Sequence, residues 1–193
     1  GIIKGGPVDN GSVQAGDVLV VVASGSLNLT CSDSAGNTWT LRQSIVVTNY
    51  EPLWLWTATV AATGSLTVTV ARSSGSSNYG MNVTVWRGVT VGASSKTNAT
   101  GAPSLAITTT AANSAIVVAN SDWAGVTSSR TWRTGAGAAT ELWDVTSGST
   151  RYYGAYHADA GTQAAKTVGL SAPSGQTYST IALELVTTTP TAG

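Results

Sequence analysis

Phenylalanine is missing from this 193-residue chain, and cysteine, histidine and methionine occur once each. A lone Cys31 excludes an internal disulfide, and one cysteine with one histidine cannot form the ligand cluster of a structural zinc site. Charge is also scarce: Asp, Glu, Lys and Arg make up 9% of the chain, against about 25% in an ordinary soluble domain. Acids and bases cancel, and no basic run exists. That excludes a nucleic-acid partner, because clustered Lys and Arg on phosphates supply most of such affinity. No apolar stretch approaches the roughly 18 residues of a membrane-spanning helix, so no membrane partner is expected. The P-loop, the dinucleotide glycine motif and the G-x-S-x-G nucleophile elbow are all missing. No basic n-region or cleavage site opens the chain, and its first residue is Gly in place of Met, so we expect a processed product, a fragment or a tag remnant.

What remains is Thr, Val, Ser, Asn and Gly, with hydrophobic residues at 42% and Trp, seven times, carrying the aromatic volume together with Tyr. Branching at Cβ fits a pleated surface, so Thr and Val point to strands. No 3.6-residue apolar period persists between caps, so very little helix is expected. DVLVVVA at 17–23 is apolar on both alternating sets and reads as a central strand covered on both faces. Leu27 to Cys31 and Thr38 to Val47 flank the turn formers SDSAGN and read as a hairpin. LWLWTATVAATGSLTVTV at 53–70 reads as a second hairpin about Ala62-Thr63-Gly64, with Leu66, Val68 and Val70 on its buried face. Met81, Val83 and Val85 form one strand face, and Thr84 and Trp86 the other. Val89 to Pro103 reads as a polar crossover. Further strands are expected at Leu105–Ile107, Ser114–Asn120, Glu141–Val145, Arg151–His157, Lys166–Leu170 and Tyr178–Val186.

The second half echoes the first. Gly64 aligns with Gly161, Leu19-Val20-Val21 with Ile116-Val117-Val118, Trp56 with Tyr153, and Ala58 with Ala155. After a three-residue insertion, Met81, Val83 and Val85 align with Ile181, Leu183 and Leu185. A unit of this size has an apolar face that it cannot hide alone, whereas two units facing each other bury both. The expected fold is therefore all-β: a two-sheet antiparallel β-sandwich of jelly-roll or Greek-key type with a pseudo-twofold internal repeat. The expected organisation is an N-terminal arm at 1–16, one domain at 17–187 with half-repeats at about 16–89 and 113–186, and a linker-like tail at 188–193.

The series GDVLVVVAS, DSAGNTWTL, LWLWTATVAATGSLTVTV and VTVWRGV, spanning Gly16 to Val89, resembles β-sandwich modules of bacterial secreted or surface proteins and bacteriophage tail proteins. The second half departs from that pattern, with Thr140-Glu141-Leu142 where N-T-W should stand. The resemblance implies a non-catalytic module of a virion or an extracellular cell surface, with homo-oligomeric or neighbouring virion and surface proteins as partners. A carbohydrate-binding module that uses exposed Trp and Tyr is the alternative, with cell-surface glycans as ligands, and a glycoside hydrolase is a distant third.

Several side chains are candidates for a site. Trp54 and Trp56 share a strand face; they can stack on sugars or fill the core, and Ala58 and Val60 continuing that face favour the core. Trp86, beside Thr84 and Asn82, is expected to be more exposed. The second half gathers Arg130, Trp132, Arg133, Trp143, Asp144, Arg151, Tyr153 and His157, a mixture that can orient a polar ligand or grip a protein. The alternative is a surface of solvated charges and half-buried aromatics. Of these, Trp132, Arg133, Trp143, Arg151, Tyr153, His157 and Trp86 form the expected ligand- or partner-binding set. No catalytic residue, metal ligand or cofactor is expected. Glu141, Asp144, Asp159 and Glu184 are the acids a glycosidase pair would draw on, and His157 with Asp159 could tune a base. Asp33 with Asn37 could approach a calcium ion, but a turn explains them better.

Overall fold

The structure, a computed structural model, describes residues 12–25, 27–73 and 80–188. Most of the expected arm (1–11) and the end of the tail (189–193) lie outside the described residues. The described residues form fourteen strands and no helix. These are β1 (Val18–Ser24), β2 (Leu29–Asp33), β3 (Trp39–Ile45), β4 (Leu53–Thr59), β5 (Val68–Arg72), β6 (Gly80–Trp86) and β7 (Val89–Gly101). They continue with β8 (Ser104–Thr108), β9 (Ala115–Asp122), β10 (Thr131–Trp132), β11 (Ala139–Ser147), β12 (Thr150–His157), β13 (Ala165–Ala172) and β14 (Gln176–Thr187).

They pair into four sheets, in the orders β3-β4-β1-β6, β11-β12-β9-β14-β7, β10-β13-β8 and β2-β5. Every ladder between these strands is antiparallel. The cores show how the sheets stack. Val18, Val20, Val22, Leu53, Leu55 and Trp86 of the four-stranded sheet meet Val117, Ala119, Ile181, Leu183 and Leu185 of the five-stranded sheet in one cluster. The opposite side chains of the four-stranded sheet, Val21, Ala23 and Trp56, pack on Leu29 and Val70 of the β2-β5 pair. Those of the five-stranded sheet, Ile116, Val118 and Ala155, pack on Leu105, Ile107 and Val168. The protein is thus an antiparallel β stack of four layers with its two largest sheets inside, coarsely a β-sandwich with an extra sheet on each outer face.

This arrangement explains the patterns. The central strands β1 and β9 are buried at every residue because both their faces carry a core. The outer strand β5 keeps strict alternation, with Val70 in and Thr69 out. Neither expected hairpin forms. β4 pairs with β1 and β3 whereas β5 pairs with β2, so the chain crosses between layers after Val60. Likewise β2 pairs with β5 and β3 with β4. SDSAGN does hold a turn, at Ser34 and Ala35, but it serves a layer change: the strands on either side belong to different sheets that face each other across one core.

Two more expectations fail. Val89–Gly101 is a thirteen-residue strand running along β14, not a crossover. Its Ser and Asn residues are half-buried at the edge of a sheet, where no apolar alternation marks the strand. On β6 the face carrying Thr84 and Trp86 is the one in the central core, while Met81 is exposed.

Candidate functional site

The cluster singled out from the second half assembles in part, on the face of the five-stranded sheet that carries β10 and β13. In an unbroken strand Glu141 and Asp144 would point to opposite faces. The register shift between Glu141 and Trp143 inserts a residue, and both carboxylates reach Arg130. Arg130 Nε donates to Glu141 Oε2 at 2.9 Å, and its Nη2 lies 3.0 Å from Asp144 Oδ2. Arg151 holds Asp144 from the other side through Nε at 2.8 Å and Nη2 at 2.7 Å, and its Nη1 donates to the Val126 carbonyl. Trp132 Nε1 donates to Glu141 at 3.1 Å. Beneath the ions, Arg130 sits 5.0 Å over the Tyr153 ring, which Trp132 meets edge-on at 5.9 Å. The Tyr153 hydroxyl donates to Gln176 Oε1.

Two guanidinium groups here neutralise two carboxylates. The Arg151 hydrogen bonds hold the Asp144 carboxyl below its usual range against the opposing pull of burial, and Arg130 adds to the lowering. Asp144 therefore cannot keep the proton that a glycosidase acid must donate, and both Glu141 oxygens are engaged. The network is expected to be modestly stabilising. Asp144→Asn should cost about 1 kcal/mol in denaturant melts, and less in high salt, because exposed ion pairs are screened.

The other expected site residues lie elsewhere. Trp86 is 1% exposed, edge-on to Tyr156 in the central core, with its indole N–H on the Thr84 hydroxyl. It is not a surface aromatic, because its strand belongs to an inner layer. Tyr153 is 1% exposed and His157 fully buried, since their shared face is covered by the three-stranded sheet. Trp143 points to the other side of β11, onto the central core, and lies against Gly154, where a methyl group would collide with its ring. Arg133 is apart, near the Pro103 carbonyl. Trp56 is core; Trp54 stacks on it, at 5.6 Å with rings nearly parallel, and is half-buried. His157 does not meet Asp159: its Nδ1 contacts the Gly137 carbonyl at 3.0 Å, and Asp159 accepts from the Gly161 N–H.

Burial holds His157 below the ordinary imidazole value, and the Gly137 and Ala138 backbone opposes this only in part. Nε2 has no partner among the described residues. A depressed folded value means that the unfolded chain binds the proton more tightly. Stability is therefore full above the unfolded value of about 6.5 and falls as pH drops below it. Urea melts of wild type at pH 7.5 and 5 should show this acid loss, and His157→Leu should flatten it.

The most heavily used polar residues were not expected to matter in these ways. Asp33 accepts from the Ala35 and Asn37 backbone, from Asn37 Nδ2 and from Trp39 Nε1 at 2.7 Å. Asn37 Oδ1 in turn accepts from Ala61 N–H, and Ser34 Oγ from Thr67 N–H. The DSAGNTW motif thus ties one layer crossing to the other, with the Asp33 carboxylate closing the turn. Glu184, completely buried, gathers N–H groups of Ala93, Thr110 and Ala111 and hydroxyls of Thr110 and Ser114. Glu51 is buried with its carboxyl raised by desolvation, and accepts from the Tyr152 hydroxyl at 2.8 Å. An acid inside a strongly apolar strand, as in IALELV, was the signal available for Glu184. No group of three His, Cys, Asp or Glu placed to hold a metal occurs among the described residues.

Fold and cluster together define a multilayer antiparallel β protein whose surface ion network is neutralised internally. Comparison with family models, with curated proteins and with solved structures gave no match.

Proposed function

We propose that this chain is a non-catalytic structural or adhesion module of a virion or a bacterial cell surface, assembling with copies of itself or with neighbouring proteins. The observation that carries this reading is the internal use of its polar chemistry. The Arg130–Glu141–Asp144–Arg151 network is self-neutralised, Asp17 is paired with Arg87 at 2.8 Å, and Glu184 and His157 are buried. The near-uncharged composition and the resemblance of residues 16–89 agree with it.

The same reading includes an origin by internal repeat. The order β3-β4-β1-β6 parallels β11-β12-β9-β14, β2-β5 parallels β10-β13, and register shifts fall at Leu41/Gln43 and at Glu141/Trp143. With Val21 equated to Val118, pairing sets Trp56 against Ala155 and Val83 against Ala182, two and one positions from the sequence alignment.

Sedimentation velocity over a wide concentration range tests the assembly. Concentration-dependent oligomers are expected, and a monomer throughout that also binds no protein of its source particle or surface overturns the proposal. The lectin alternative rests on Trp123, the one Trp exposed among the described residues, at 51%. Fluorescence quenching by cell-wall sugars that is lost in Trp123→Ala would favour it.

A further inference from the structure

The central core is incompletely filled at one end. Between the strands β6 and β11, edges of the two inner sheets, lies a cavity of about 160 Å³. Val22, Leu53 and Trp143 line it, Val145 stands at its mouth, and Ser24 and Tyr152 close its polar end. The bare Cα of Gly154 lets the Trp143 indole lie flat against β12 as one wall. Asn82, half-buried on the β6 face that carries Thr84 and Trp86, also lines the cavity and brings a neutral carboxamide to it. The lining holds no charged side chain, and the buried Glu51, bonded to the lining residue Tyr152, is held by that hydroxyl.

We propose that this cavity is a binding site for a small neutral molecule with a ring-sized apolar body and one hydrogen-bonding group, which Asn82 receives. An apolar cavity of about 150 Å³ in another protein stays dry and takes up benzene, so the volume suits a single ring. A charged ligand would lose its hydration with no opposite charge to replace it. A sugar, with a hydroxyl on nearly every carbon, would leave most of its hydroxyls unpaired here. The Asn82 carboxamide carries both a donor and an acceptor, enough for one hydroxyl or carbonyl. The site is independent of the assembly reading above.

The test is a titration of the ¹⁵N-labelled full chain with p-cresol, toluene and benzoate, followed by amide shifts. Saturable shifts at Gly80–Asn82 and Trp143–Val145 are expected with p-cresol. Toluene should bind roughly three- to tenfold more weakly, the value of one lost hydrogen bond, and benzoate not at all. Asn82→Ala should bring p-cresol down to the toluene level and leave toluene unchanged. Val145→Trp, a change at an exposed position, should close the mouth and abolish both. No saturable shift with p-cresol or toluene, shifts centred elsewhere, or equal binding in Val145→Trp would overturn the proposal.

Discussion

Glu184→Ala is expected to cost about 4 kcal/mol of folding free energy and to lower the melting temperature by about 8–16 °C for a chain of this size. The side chain is completely buried on β14, where the ladder to β7 shifts register between Leu183 and Leu185. It bonds at 2.7–3.2 Å to donors from β7 and from the loop between β8 and β9. Removing it takes the acceptor from five donors, of which only Ser114 is fully buried, and a buried donor left unpaired costs about 1–3 kcal/mol before water and relaxation offset part of the loss. Burial alone would raise this carboxyl, but the donors, led by Ala93 N–H, bring it below the ordinary value. Its contribution is therefore complete above the unfolded value of about 4.3 and is lost as pH falls through the folded value. Glu184→Gln keeps the volume but turns an NH₂ toward donors, so it should be destabilised as well and lack this acid limb. Gly92→Ala should act through the same group, because a Cβ there collides with the carboxylate. Thermal melts of the three variants are sufficient, and a near-neutral Glu184→Ala would refute the assignment.

Trp86→Ala is expected to cost about 3–5 kcal/mol, as deletion of a large buried aromatic does. Trp86 lies in the core shared by the two inner sheets and meets Tyr156 of the opposite sheet edge-on at 5.5 Å. Its loss removes contact between the two halves of the chain as well as apolar area. Trp123→Ala, at an exposed position, should change stability by less than about 0.5 kcal/mol. Guanidinium melts of the pair compare an inner aromatic with an outer one. Equal effects would mean that Trp86 is not in the core.

The strands were legible where one physical signal dominated. A doubly apolar run gave β1 and β9, and strict alternation gave β5. Pairing was less legible, because local turn chemistry does not say whether the strands on either side share a sheet. Asp33, Asn37 and Ser34 look like hairpin formers and instead hold two layer crossings together. Burial of polar-looking faces was hidden for a related reason. A two-layer sandwich has one wet side per sheet, so Thr84-Trp86 and Tyr153-His157 read as exposed. With four layers those faces are interior. Within the candidate cluster, Arg130, Trp132, Asp144, Arg151 and Tyr153 were all recognisable as residue types. What joins Glu141 to them is a register shift that no residue in the strand announces.

The central claim is that the two inner sheets share one core, so that the halves of the chain hold each other folded. Native-state hydrogen exchange of the intact chain tests it most directly. The amides of β1 and β9 should be the last to exchange and should do so with the same free energy, close to that of global unfolding. If β9 exchanges through openings several kcal/mol below that limit while β1 remains protected, or the reverse, the halves are separate folding units and the shared core is contradicted.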